Sequence, residues 1–281
     1  MANSSTYFWT QEKRKELIEK YPNTPKQELL NIFSTQTWKN ICDTAQRLGA
    51  SRLNYYKNNE TPKSGKISNL LNKKLESLYW IGFLLADAYI CEERGRIQIQ
   101  LNKKDLTHLE AFCKYINHTG KLKNWNRTDK NNKLGYSEAI KIDFQDKVNV
   151  LKLVELFKFK TPKTYNPPQD YTFLSSLTKE EFINFLAGYI DGDGTINKQD
   201  RIIIKIHSSW KPFLDFSINK LNKDLLIIDK GLKTCIYNNY PQFAWLSIPV
   251  KVSRELLKYR QSFWLKRKWD NIHDKKEKRI I

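Results

Sequence analysis

Two aspartates, Asp87 and Asp193, each stand near the end of an apolar stretch punctuated by small residues. Gly82 and Ala86 in the first stretch, and Ala187 and Gly188 in the second, recur at near-helical spacing, so two such helices can pack with their backbones unusually close. The carboxylates at their ends then stand side by side, where like charges cannot both stay ionised unless a cation lies between them. An oxygen-seeking divalent ion such as Mg²⁺ suits such a pair. Its chemistry would be metal-assisted phosphodiester hydrolysis: orienting water, polarising the scissile phosphate and stabilising the leaving oxygen. Histidine-based alternatives fall away, because His108, His118, His207 and His273 form no HExxH or HxxxH cluster. The four cysteines are far apart, with no CxxC pair, and read as free thiols in a reducing compartment.

Bulk composition points to the partner. The 281 residues carry a net charge of +19, yet 40% are hydrophobic and 13% aromatic, so the chain folds and its surface is basic. Lys and Arg at that density neutralise backbone phosphates and release counterions, which makes nucleic acid the expected ligand. No apolar run approaches the roughly 18 residues of a membrane span, and Met1 to Thr6 has no hydrophobic signal core. A cytosolic protein without membrane contact is the expectation.

The elements around the two aspartates repeat. After an apolar helix, Leu75 to Ala88, comes an alternating strand, Arg96 to Leu101, and a helix from Asp105 to Ile116. The second half offers a helix from Glu180 to Ile190, a turn at Asp193-Gly194, a strand from Arg201 to His207 and a helix from Lys211 to about Leu221. More strand-like material follows in each half, Tyr136 to Phe144 and Gly231 to Ile248, and then a closing helix. This is an internal duplication. Ahead of it, Asn58 to Asn72 is polar and carries Pro62, Ser64 and Gly65, as a linker does. The expected organisation is residues 1–57, a linker over 58–74, and half-domains over 75–165 and 166–281.

The segment Leu186-Ala187-Gly188-Tyr189-Ile190-Asp191-Gly192-Asp193-Gly194 matches LAGLIDADG at seven of nine positions. Trp80 to Ala88 is a worn copy, keeping Gly82, Ala86 and Asp87, and the copies lie 106 residues apart. The pair resembles the single-chain, two-motif LAGLIDADG homing endonucleases. That resemblance implies an α+β fold of tandem αββαββα halves about a pseudo-two-fold axis, with antiparallel sheets forming a saddle over duplex DNA. It implies Mg²⁺-dependent double-strand cleavage at a long asymmetric site, across the minor groove with short 3′ overhangs, by a monomer. It makes Asp87 and Asp193 the metal-binding catalytic acids, with the backbone carbonyls of Ala86 and Gly192 as further ligands. Asp191 is expected to support its helix end, because Leu85 holds that place in the first copy. Family members also carry a lysine near the end of each half, and the alternatives are Lys160 or Lys163 and Lys266 or Lys268. Lys163 and Lys266 are carried forward as the catalytic pair.

Base reading needs polar side chains on exposed strand faces. Arg96, Gln98 and Gln100 alternate with Ile97, Ile99 and Leu101, and Arg201, Lys205 and His207 alternate less cleanly with isoleucines. From Lys258 to Arg279 nine basic residues face three acids, as for backbone contact, with Lys268 among them. At the N-terminus, Thr10 can cap a helix over Gln11 to Lys20, Thr24-Pro25 opens a second through Phe33, and a third runs from Thr37 to Leu48. Residues 9–49 resemble the helix-turn-helix or Myb-like modules attached to intron-encoded nucleases. In such a unit the third helix would offer Lys39, Asn40, Asp43 and Arg47 to the major groove, with Trp38, Ile41 and Ala45 in the core. A chain that starts with such a module and has no splicing ends suggests an intron-encoded or free-standing gene. Two other readings of this scaffold stay open: a maturase binding its host intron RNA, and a DNA-binding regulator without catalysis.

Overall fold

The computed structural model describes residues 8–52, 67–128, 136–226, 229 and 231–272. The chain divides into two compact units between residues 63 and 64. In the first, α1 (Gln11–Lys20), α2 (Lys26–Ile32) and α3 (Trp38–Arg47) enclose a small core of Trp9, Leu17, Tyr21, Leu29, Phe33, Ile41 and Ala45. Each boundary has a local cause. The side chains of Thr10 and Thr37 accept from the backbone N–H groups of Lys13 and Asn40, Pro25 stands just before α2, and Gly49 takes a φ of +75° just past α3. Ile41 and Ala45 are fully buried and Trp38 is half-buried, while Lys39, Asn40, Asp43 and Arg47 are exposed.

The second unit is built on two helices that are apolar almost all round and so are buried on nearly every side, α4 (Leu75–Asp87) and α8 (Lys179–Asp193). Each is followed by a four-stranded antiparallel sheet. The first sheet has the order β1-β2-β4-β3, with β1 (Tyr89–Cys91), β2 (Arg96–Asn102), β3 (Lys123–Thr128) and β4 (Tyr136–Gln145). The second has the order β5-β6-β8-β7, with β5 (Gly194–Ile196), β6 (Ile202–His207), β7 (Lys233–Tyr237) and β8 (Tyr240–Ile248). Helices α5 (Leu106–Tyr115) and α6 (Lys147–Phe157) belong to the first half. The short α7 (Thr172–Ser175) leads into the second half, where α9 (Lys211–Leu225), α10 (Val250–Leu257) and the short α11 (Lys266–Trp269) repeat the pattern. One continuous core runs through both halves.

The duplication is visible in register. Asn102 and His207 close β2 and β6 and cap equivalent 3₁₀ turns, Lys103–Asp105 and Ser208–Trp210, before α5 and α9 begin. On the inner faces Ile97, Ile99 and Ile142 in the first sheet answer Ile202, Ile204 and Leu246 in the second, all buried.

Two sequence expectations change. The turn expected at Asp193-Gly194 is not there: a capping box of Thr178 and Glu181 starts α8, and the helix continues through Asp193. Gly194 then opens β5 in an extended conformation, where an added Cβ would stand 2.6 Å from the Ile190 carbonyl oxygen. The stretch expected as linker also ends earlier. Residues Ile67–Asn72 form a 3₁₀ turn that buries Ile67 and Leu70 completely, the work of apolar residues within a polar composition. No helix among the described residues is long and apolar enough to cross a membrane.

Candidate metal and phosphodiester site

The site starts from two glycines. A Cβ at Gly82 would lie 1.9 Å from the Phe185 carbonyl oxygen, and one at Gly188 would lie 1.8 Å from that of Tyr79. Each helix therefore rests backbone to backbone on the other, a separation that only hydrogen at Cα permits. One turn further on, a Cβ at Gly192 would meet the Cβ of Ala86 at 2.4 Å and that of Asp87 at 3.3 Å. Asp87 and Asp193 are the last residues of their helices. Two carboxylates thus meet where two helix C-termini, each carrying a partial negative charge, also meet.

The titration behaviour follows from this crowding. Asp87 opens to solvent on one face, yet the protein packed around it pushes its carboxyl up to about 6, with the charge of Asp193 adding to the shift. Asp193, half-buried, is raised by the same desolvation. Lys163 and Lys268 pull both acids back down. Their ammonium groups cap the helix ends. Lys163 Nζ donates to the carbonyls of Leu85 (2.7 Å) and Ala86 (2.8 Å), and Lys268 Nζ to those of Ile190 (3.0 Å), Asp191 (2.7 Å) and Gly194 (2.6 Å). Burial lowers Lys163 to about 8 and also lowers Lys268, while the aspartates oppose the shift. The result is a compact quartet of two acids and two bases around the pseudo-two-fold axis.

Lys163 and Lys268 occupy equivalent places, 76 and 75 residues after Asp87 and Asp193, whereas Lys160 and Lys266 are exposed. Lys266, carried forward as catalytic from sequence, lies exposed, and Lys268 is the lysine that reaches the end of α8. Lys268 in turn is no surface contact for DNA, because its side chain is buried and spent on three carbonyls. Spacing from the acids could not have made this choice, because Lys160 and Lys266 also stand at matching distances, 73 residues after Asp87 and Asp193.

Asp191 lies two residues before Asp193 and does different work. It is buried and accepts from Tyr79 Oη (2.7 Å), the Leu265 backbone N–H (2.8 Å) and Trp269 Nε1 (2.8 Å). Three donors hold the chain that carries Lys268 against the end of α8. Tyr79 Oη also meets His108 Nε2 at 3.0 Å, and Arg267 grips Asp105 through Nε (2.5 Å) and Nη2 (2.7 Å). Around this network opens a cavity of about 270 Å³ that exposes Asp87, Gln100, Asp191, Arg267 and Lys268. No motif or local pattern pointed to Tyr79, His108, Asp105 or Arg267 as partners, for they meet only through long-range packing.

The fit to a divalent cation rests on the donor set. Among the described residues no three His, Cys, Asp or Glu side chains converge. The chain offers two mutually repelling carboxylates and leaves the remaining positions to carbonyl oxygen, water and phosphate. Mg²⁺ is bound in that way, through one or two carboxylates with several waters retained. The Ala86 carbonyl, expected as a further ligand, accepts from Lys163. Gly192 stands beside Ala86 and Asp87.

The strand residues expected to read DNA sit on the open sheet faces. Arg96, Gln98 and Gln100 are half-buried and alternate with buried Ile97, Ile99 and Leu101. Arg96 is held by Asp143, 2.8 Å from Nε to Oδ1. Arg201 Nη1 donates to Ser247 Oγ at 3.3 Å, and Lys205 is exposed. In the first unit Arg47 Nη2 donates to Thr44 Oγ1 at 3.1 Å.

No family model matches the chain, and no curated protein does. Among solved structures it is similar to the homing endonuclease I-WcaI bound to its DNA recognition sequence, at 17% identity and a TM-score of 0.48, over 74% of this chain and 88% of that one. Mesophilic variants of the homing endonuclease I-DmoI are similar at 14% identity and a TM-score of 0.44, over 69% of this chain and 95% of that one. Full-length DUF199/WhiA from Thermatoga maritima is similar at 14% identity and a TM-score of 0.43, over 79% and 68%.

Proposed function

We propose that the protein is a site-specific double-strand DNA endonuclease of the LAGLIDADG homing type, acting as a monomer with Mg²⁺ at the Asp87–Asp193 pair. The observation that carries this reading is the meeting of two aspartate-bearing helix ends, closed by two lysines, each helix leading into a four-stranded antiparallel sheet. Bound there, a divalent cation would polarise the scissile phosphate and make the attacking water more acidic. The chain's own groups do the rest. Asp87 and Asp193 hold the cation in their ionised forms. Lys163 and Lys268 keep those acids ionised and place positive charge where the pentavalent phosphate builds up negative charge. Equivalent acid–lysine sets on the two halves give each strand its own cutting group. Residues 9–49 supply a separate DNA contact through α3, with Lys39, Asn40 and Arg47 facing the duplex, and the gene is intron-encoded.

The test is cleavage of a plasmid library of candidate sites with Mg²⁺, by wild type, Asp87→Asn and Asp193→Asn. Linear product from wild type alone supports the reading. A wild-type protein that binds duplex tightly and never cuts it refutes the nuclease, and a preference for folded RNA over duplex refutes DNA as the partner.

A further inference from the structure

The open faces of the two sheets carry different chemistry. On the first, β2 presents Arg96, Gln98, Gln100 and Asn102, and across from them β4 presents Gln145, Asp143 and Lys141. These are donors and acceptors with the reach to pair with purine edges, Gln with adenine and Arg or Lys with guanine. On the second sheet the long donors are Arg201, turned onto Ser247, and two lysines, with aromatic rings between them. There Ile203, Lys205 and His207 on β6 stand opposite Ser247, Trp245 and Phe243 on β8, and Tyr237 on β7 packs its ring against Trp245 with centroids 6.4 Å apart. Phe243, Trp245 and Tyr237 are half-exposed. Two exposed lysines stand in their midst: Lys205 lies over the rings of Tyr237 (4.9 Å) and Phe243 (4.7 Å), and Lys233 on β7 over that of Trp245 (5.8 Å). Tyr165 extends the same surface by packing on His207 at 4.9 Å, and is 64% exposed.

We infer that the second sheet reads its half of the target through the 5-methyl groups of thymine, with Phe243, Trp245 and Ile203 as the contacting residues. This rests on the duplex-binding reading above. In the major groove thymine is the base that offers an apolar group, and apolar side chains recognise it by covering that methyl. A half-buried aromatic row with both its lysines drawn onto the rings, and Arg201 held by Ser247, meets a base edge first with its rings. The target is therefore divided in kind: a half specified by hydrogen bonds beneath the first sheet, and a thymine-rich half beneath the second.

The experiment begins with the full chain in EDTA and a pool of duplexes randomised along their length, from which bound sequences are selected. The best duplex is then rebuilt with deoxyuridine replacing thymidine in one half at a time, which removes the methyl and keeps the pairing. Affinity should fall about fourfold for each covered methyl in one half, and hardly at all in the other. That sensitivity should vanish in Phe243→Ala/Trp245→Ala and persist in Gln98→Ala. Deoxyuridine tolerated in both halves, or a loss that survives the aromatic substitutions, overturns the inference while leaving duplex binding intact. Displacement of the duplex by one of its own single strands also overturns it, because the rings would then be stacking on unpaired bases. A pool from which no duplex is enriched overturns the duplex-binding reading itself.

Discussion

Replacing Gly188 with alanine puts the central packing to a direct test, because two opposed effects predict different signs. In an isolated helix the change stabilises by about 1 kcal/mol, through the lower backbone entropy of alanine. Here the new Cβ would lie 1.8 Å from the Tyr79 carbonyl oxygen and 3.0 Å from the Phe83 nitrogen. Both are backbone atoms of a buried helix, so no side chain can swing away. To restore even a tight contact of 3.0 Å, α4 and α8 must part by about 1.2 Å at that point, from 3.0 minus 1.8. Overpacking of this sort costs about 1–3 kcal/mol or more, and parting the helices also loosens contacts along both, so the upper end applies. The net loss is about 2 kcal/mol, or roughly 4–8 °C in Tm for a unit of this size. Function should suffer more than stability, since a displacement of about 1 Å at a reacting centre costs roughly a hundredfold, and Gly188 lies little more than one turn before Asp193. Urea denaturation followed by circular dichroism gives the first number, and plasmid cleavage with Mg²⁺ the second. A Gly188→Ala protein as stable as wild type, or more so, would show that the helices are not in backbone contact and that the convergence of Asp87 and Asp193 needs another cause.

Four further outcomes follow from the same site. Asp87→Asn and Asp193→Asn should each abolish the thermal stabilisation that Mg²⁺ gives the wild type, while duplex affinity in EDTA holds or rises because a negative charge facing phosphate is gone; calorimetric scans with and without Mg²⁺ check this. Lys163→Met and Lys268→Met should remove cleavage, whereas Lys160→Met and Lys266→Met should only shallow the salt dependence of duplex binding, by a slope of about 0.9 each if they touch phosphate. Buried His108, pushed down to about 4 by desolvation against the help of Asp105, binds fewer protons folded than unfolded between pH 6.5 and 4, so stability falls as pH drops through that window. The loss is about 3 kcal/mol at most, and urea midpoints for His108→Phe should show a flatter acid limb than wild type. Asp105→Asn should loosen Arg267 and with it the chain carrying Lys268, lowering the cleavage rate more than duplex affinity in single-turnover assays.

What the sequence made legible was what is local or repeated. The alternation of Arg96 to Leu101, the caps at Thr10 and Thr37 and the glycines of both motifs are written in neighbouring residues, and the structure follows them. Asp87 could be matched to Asp193 because the same order of helix and strand succeeds each. Lys266 and Lys268 stayed alternatives because a basic run, Lys266-Arg267-Lys268, gives composition no means to choose; only the closing turn at Leu265, anchored by Asp191, turns Lys268 inward and leaves Lys266 outside. The polar network was illegible for a stronger reason. Tyr79, Asp105, His108 and Arg267 are spread over 189 positions, from 79 to 267, and each alone reads as an ordinary surface or core residue.

That network also shows how the duplicated halves came to differ. Register equates Asp105 with Trp210, His108 with Phe213 and Leu85 with Asp191, and helix spacing equates Tyr79 with Phe185. On one side of the axis the support is a chain of hydrogen bonds from His108 through Tyr79 to Asp191 and on to Leu265 and Trp269. On the other, Phe185, Tyr189, Trp210 and Phe213 pack ring on ring, with Lys163 passing 5.9 Å from the Trp210 ring. Lys268 is thus positioned by polar groups that answer to pH, and Lys163 by apolar packing that does not. If both lysines serve the same step on opposite strands, acidification should slow the Lys268 half first. A supercoiled plasmid would then pass through a nicked intermediate that accumulates more at low pH than at neutral pH. Equal nicking at both pH values in the wild type would mean that the two supports are equivalent in function despite their chemistry.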